Sequence, residues 1–152
     1  MIKSIDHIGI AVKSLEQAIP RYEQALGLTC THIETVAHQG VRTAFFAVGE
    51  GAVRIELLEA TIPESPIARF IEKRGEGIHH IAFESTDVAA DLEVAVGGGC
   101  VHLNQIGQTG AGGARVAFLH PKSLCGVLTE LCDSHRAAAS DSIQASTDSH
   151  QS

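Results

Sequence analysis

Two histidines and two glutamates recur in this chain at almost the same interval. His7 lies 49 residues before Glu56, and His80 lies 50 residues before Glu130. Each histidine sits in a similar apolar segment, IDHIGIA at 5–11 and IHHIAFE at 78–84, and each glutamate in another, VRIELL at 53–58 and VLTELC at 127–132. An internal repeat of this kind implies two copies of one supersecondary unit. Related by a pseudo-two-fold axis, the copies would bring two imidazoles and two carboxylates to a common centre. Neutral imidazole binds first-row divalent ions, and carboxylate oxygens compensate their charge; four such donors leave two positions of an octahedron for substrate oxygens. The expected cofactor is therefore a divalent cation (cobalt, manganese or zinc) held by His7, Glu56, His80 and Glu130.

The elements that must position these groups can be read on either side of the repeat. Residues 4–12 are β-branched and apolar, as a strand requires. Ser14 followed by Gln17 starts a helix that Gly27 closes, with Pro20 inside it. Strands are expected at 29–36, 41–48 and 52–59, and SPIARFIEKRGEG reads as a linking helix with Pro66 in its first turn. A strand at 78–85 begins the second copy. A helix capped by Asp87 follows, and then strands near 100–104, 114–119 and 126–132. The fold class is α+β: two tandem βαβββ modules, at about 4–62 and 78–133, forming a curled mixed sheet around a metal-binding cleft. Strand alternation puts His7 on one face with Gly9 and Ala11, and His80 on one face with Ala82, while the large aliphatics face helices. The same alternation sends His79 to the opposite face, into a packed or hydrogen-bonded role.

Composition narrows the function classes. The chain has 152 residues, 44% hydrophobic, enough for one domain with a real core. Its net charge of −7 argues against nucleic acid as a partner. No run of about 18 apolar residues marks a membrane span, and the N-terminus lacks a basic leader with a long apolar core. Cysteines at 30, 100, 125 and 132 form no Cys-x-x-Cys pair, so reduced thiols in a cytoplasmic protein are expected. From Ser134 onward small and polar residues predominate, and 134–152 is expected to be a disordered tail behind a single domain at 1–133.

The segments DHIGIAV at 6–12, ELLEATIPESPIARFIEKRGEGIHHIAFE at 56–84 and GAGGARVAFLHPKSLCGVLTEL at 110–131 carry a resemblance. The chain resembles the vicinal oxygen chelate superfamily (glyoxalase I, bleomycin-resistance proteins and extradiol dioxygenases) and, within it, the methylmalonyl-CoA epimerase family. The resemblance implies inversion at C2 of methylmalonyl-CoA through a metal-stabilised enolate, an acyl-CoA as partner, and a homodimer. It places the metal ligands on His7, His80 and Glu130, with Glu56 as the fourth; Glu130 and Glu56, on opposite sides of the metal by the pseudo-two-fold, are the expected catalytic bases, Glu130 first. One form of the family has a catalytic carboxylate in the strand matching GVRTAFFAV, where this chain has Thr43; either Glu56 takes that part or the two-base scheme differs. Lys122, Arg115, Arg69 and Lys73 are candidates for the coenzyme A phosphates. His120 reads as a turn residue. Gly110, Gly112 and Gly113 read as a loop over the pocket, since no helix follows them. A glyoxalase I-like lyase could use the same four ligands, and a non-catalytic small-molecule binding protein is the alternative from another class.

Overall fold

In a computed structural model the described residues are 1–51, 53–103 and 108–133; the expected tail lies outside them. The first module runs β1 (Ile2–Ala11), α1 (Leu15–Leu26), β2 (Cys30–Val36), β3 (Val41–Ala47) and β4 (Arg54–Ala60). Helix α2 (Pro66–Arg74) links it to β5 (Gly77–Ser85), α3 (Val88–Gly97), β6 (Gln108–Thr109), β7 (Arg115–Leu119) and β8 (Thr129–Cys132). Helix starts follow the side chains that cap them. Ser14 accepts from the Gln17 amide (3.3 Å), Ser65 from Ile67 (3.2 Å) and Asp87 from Ala90 (3.1 Å), each satisfying a donor the first turn leaves open. Gly27 ends α1 in the left-handed conformation at φ 65°, which a Cβ would disfavour.

All eight strands form one sheet in the order β2-β3-β4-β1-β5-β8-β7-β6. Within each module the first strand pairs parallel with the last, β1 with β4 and β5 with β8, and the two modules meet through the antiparallel β1–β5 pair. The sheet is therefore mixed and nearly symmetric about its centre, and it curls as expected for paired βαβββ modules. Its outer face is covered module by module. Leu15 of α1 packs on Val12, Ala44, Phe46 and Leu57, and Val88 and Leu92 of α3 pack on Ala117, Leu119 and Leu131. Helix α2 lies on the other face, where Ile67 packs on Ala11, Val41 and Leu58 and closes one end of the concave side.

The expected strand at 100–104 is a correction. Residue 104 lies outside the described residues; among the described residues 100–103 only His102 forms a bridge, to Leu119, flanked by the bonds Leu103 N–H to Phe118 O and His120 N–H to Val101 O. Val101 and Leu103 are exposed, so this edge segment lacks the burial that would extend its pairing. The assigned edge strand is the two-residue β6 instead.

Register across the sheet explains how four functional side chains converge. One row runs Phe45–Glu56–Gly9–His80 across β3, β4, β1 and β5; the other runs His7–Ala82–Glu130–Phe118 across β1, β5, β8 and β7. Each imidazole thus leans over a small residue on the facing strand, between a glutamate and a phenylalanine of the partner rows. Gly9 is required here, because a Cβ added to it would fall inside the His80 ring. Replacing Gly9 with Ala is expected to destabilise the protein by roughly 1–3 kcal/mol in denaturant titration, the usual range for overpacking a buried site. A parent-like unfolding midpoint would show that the ring is displaced at no cost.

Candidate metal centre and active-site cleft

The concave face of the sheet encloses a cleft of about 770 Å³. His7, Glu56, His80 and Glu130 all line it, and all are buried, none exposing more than 6% of its surface. The Nε2 atoms of His7 and His80 face one another at 3.0 Å. Glu56 Oε2 is 2.8 Å from His7 Nε2 and 3.7 Å from His80 Nε2; Glu130 Oε2 is 4.0 Å and 3.3 Å from the same atoms. The four residues expected from the repeat therefore meet, each carboxylate nearer the imidazole that the other is farther from.

The donor set fits a divalent cation. Two nitrogens bound at about 2.1 Å in neighbouring positions of an octahedron lie about 3 Å apart, the separation found for the two Nε2 atoms. His7, Glu56 and His80 offer donor atoms that all lie within 4.8 Å of one another. Without a cation, a proton on His7 holds the cluster together. Burial pushes His7 down, but hydrogen bonds that its ring donates to Asp6 and Glu56 and the charges of Glu56 and Glu130 outweigh it and raise His7 to about 10. Burial, with the charges of His7 and His79 beside it, keeps His80 neutral far below its ordinary value. Burial also raises Glu130 to about 8.

Several groups that the sequence did not single out sit in the same cleft. Asp6 is 1% exposed and binds His7 Nδ1 at 2.7 Å and the Arg54 guanidinium at 2.6 Å through one oxygen, Oδ2. Burial opposes its ionisation, yet these two partners hold its carboxyl at about 2. Arg54 also lies over the Phe45 ring at 5.0 Å. The only available signal for Arg54 was its parity with Glu56 on one strand, two residues apart. His79 corrects the alternation rule. It lines the cleft, and its Nδ1 lies 2.9 Å from His80 Nδ1. The cause is an extra residue in β5, which steps from His80 to Ile78 while β1 steps from Gly9 to Ile10.

Thr43 is buried, lines the cleft, and donates to the Glu34 carbonyl at 3.4 Å. Gly110 and Gly112 also line the cleft, and the Gly112 amide donates to the Glu34 carboxylate at 2.9 Å, so this loop lies at the mouth as expected. His120 is a turn residue: its Nδ1 accepts from the Lys122 amide at 3.0 Å. Lys122, Arg115, Arg69 and Lys73 are exposed and lie outside the cleft lining, and Arg115 pairs with Asp133 at 2.9 Å.

Residues 6–118 match the family model for the glyoxalase/bleomycin resistance protein/dioxygenase superfamily. The chain belongs to that superfamily. Within it, the chain is 38% identical over 133 residues to an ethylmalonyl-CoA/methylmalonyl-CoA epimerase of Cereibacter sphaeroides, covering 86% of this chain and 98% of the relative. Among solved structures it is similar to a variant of Streptomyces coelicolor methylmalonyl-CoA epimerase in complex with 2-nitronate-propionyl-CoA. The TM-score is 0.85 at 39% identity, over 89% of this chain and 99% of that one. It is equally similar, at TM-score 0.85 and 38% identity, to a methylmalonyl-CoA epimerase in complex with methylmalonyl-CoA and NH4+, over 90% and 97% of the two chains. These relatives place the chain in the epimerase branch of the superfamily. Among the described residues, no helix is long and apolar enough to cross a membrane.

These shifts set a direction for stability in metal-free protein. Glu130 and His7 both carry folded values above their ordinary 4.5 and 6.5. Each therefore contributes stability that is fully present below its ordinary value and lost as pH rises through the folded one. Between pH 7 and 9, where His79 and His80 stay neutral, the melting temperature of the stripped protein is expected to fall, and Glu130→Gln should flatten part of that fall. Scanning calorimetry of the pair is the check; a rising parent profile would contradict the assignment.

Proposed function

We propose that the chain is a metal-dependent epimerase that inverts C2 of methylmalonyl-CoA by proton transfer through an enolate. The observation that carries this reading is the placement of Glu56 and Glu130 on opposite flanks of the paired imidazoles, on strands β4 and β8, with β1 and β5 between them. Inversion needs one group on each face of the flat carbanion, one to take a proton and one to give one. The similarity to the Streptomyces coelicolor epimerase and to the methylmalonyl-CoA complex supports the substrate class.

His7, His80, Glu56 and Glu130 would hold the cation. When bound, cobalt, manganese or zinc supplies Lewis-acid polarisation of the substrate's thioester and carboxylate oxygens. The rest of the chemistry belongs to the side chains. Glu130, as the carboxylate, takes the C2 proton from one face, the C–H electron pair delocalises onto the thioester oxygen, and Glu56, entering as the carboxylic acid, gives its proton to the opposite face, so that Glu130 ends protonated and Glu56 ionised; the reverse reaction exchanges the roles. Thr43 cannot act as a carboxylate base, so Glu56 takes the second position. Val41, Leu58 and Ile67 give the cleft an apolar wall beside the four side chains. The protein works in the cytoplasm as a homodimer, its 1–133 domain carrying the activity without the tail.

Glu130→Gln and Glu56→Gln are each expected to slow epimerisation by a factor on the order of 10² or more in folded, metal-filled protein, with Thr43→Val having a far smaller effect. In heavy water, followed by NMR, each glutamine variant should still exchange the C2 proton of one epimer while conversion to the other falls away. Parent-rate conversion by Glu56→Gln with metal bound would leave Glu56 a ligand alone. Light scattering at micromolar concentration should give twice the 16.0 kDa chain mass; a monomer would contradict the homodimer.

A further inference from the structure

Both metal-facing histidines are preceded by a residue that an ordinary strand would turn away from the cleft. In β1 the pairing steps from Ile5 to His7 while β5 steps only from Phe83 to Ala82, so Asp6 is the extra residue; in β5 His79 is the extra residue in the matching place. The two irregularities sit at equivalent positions of the two modules. Each swings a buried or half-buried polar side chain onto the Nδ1 edge of the next imidazole: Asp6 Oδ2 to His7 at 2.7 Å, and His79 Nδ1 to His80 at 2.9 Å. Neither contact reaches the centre itself, where the two Nε2 atoms face each other.

We propose that Asp6 and His79 are positioning residues that hold His7 and His80 with the proton on Nδ1, leaving both Nε2 lone pairs aimed at a shared divalent cation. This rests on the metal centre described above. An imidazole carries its neutral proton on either nitrogen, and the partner of one nitrogen decides which is left to ligate. Asp6 is itself fixed: Arg54 grips the same Oδ2 at 2.6 Å, and the guanidinium is braced against Phe45. His79 is fixed by the edge of Phe70, 5.0 Å between ring centroids, from helix α2. The two supports differ in kind. A carboxylate can only accept and makes His7 the more basic ligand, whereas His79 accepts from His80 through Nδ1 with its own proton on Nε2 and supplies direction without charge. The pair of ligands is therefore symmetric in geometry and unequal in donor strength.

Cobalt binding by the full-length protein tests this, read by titration calorimetry and by the visible absorption bands of bound Co²⁺. Asp6→Ala and His79→Phe are expected to lower Co²⁺ affinity by about 10–100-fold, the usual scale for lost partners of metal-bound histidines, and to shift the bands. Asp6→Asn, which keeps an acceptor oxygen but not the charge, should fall between Asp6→Ala and the parent. Proton–nitrogen correlation NMR of the unaltered, zinc-loaded protein needs no variant to fold: Nδ1 should carry the proton on both rings, furthest downfield for His7. Parent affinity and bands in folded Asp6→Ala and His79→Phe, or zinc on Nδ1, overturns this proposal alone. A parent protein that takes up neither ion overturns the metal centre and the proposal together.

Discussion

The approach of two imidazoles to 3.0 Å across the β1–β5 pair is the constraint on which the rest of this structure depends. Bringing two buried basic groups that close costs free energy unless a cation, a proton or a carboxylate lies between them. Everything near the pair serves to make that approach possible. Gly9 and Ala82 leave room beneath the rings, and Glu56 and Glu130 supply negative charge from the neighbouring strands. The helices that bury the outer face then hold β1 and β5 in one register, because a one-residue slip would turn each histidine into the apolar layers under α1 and α3.

The electrostatic balance of the cleft follows from the same constraint. Asp6, Glu56 and Glu130 face Arg54 and three histidines on the floor of the cleft, where the three carboxylates are buried. The cluster avoids excess charge by titration: His7 keeps a proton, His79 and His80 lose theirs, and Glu130 resists ionisation. A divalent cation entering such a site displaces protons from the ligands that hold them, so binding and protonation are linked. Helix α2 contributes by position: Ile67 seals one end of the concave face, and Phe70 packs on His79.

Much of this was legible in the sequence because it was written twice. The His-to-Glu interval, the small residue two positions after each histidine, and the capped helices Ser14–Gly27 and Asp87–Gly98 are local or periodic signals, and the structure carries all of them. What escaped was non-local or broke the period. The extra residues at Asp6 and His79 interrupt an alternation that assigns every second side chain to one face, and nothing in IDHIG or IHHIA marks where pairing slips. Arg54 could be placed opposite His7 only once β1 and β4 were known to be parallel neighbours. The segment expected at 100–104 has strand composition, but its described part, 100–103, lies where one neighbour supplies too little burial to extend the pairing.

The unequal supports under His7 and His80 bear on kinetics in a way that the near-symmetry of the sheet conceals. A flat carbanion presents mirror-related faces, and an ideal two-fold catalyst would bind both epimers alike. Here one half of the site leans on a carboxylate–guanidinium pair and the other on a second imidazole. The two epimers differ at a single carbon remote from the other stereocentres of coenzyme A, so their free energies nearly coincide and the Haldane relation keeps kcat/KM nearly equal in the two directions. An inequality between the halves can therefore enter only in how that ratio divides between binding and turnover, with no change in the rate at which a dilute mixture epimerises.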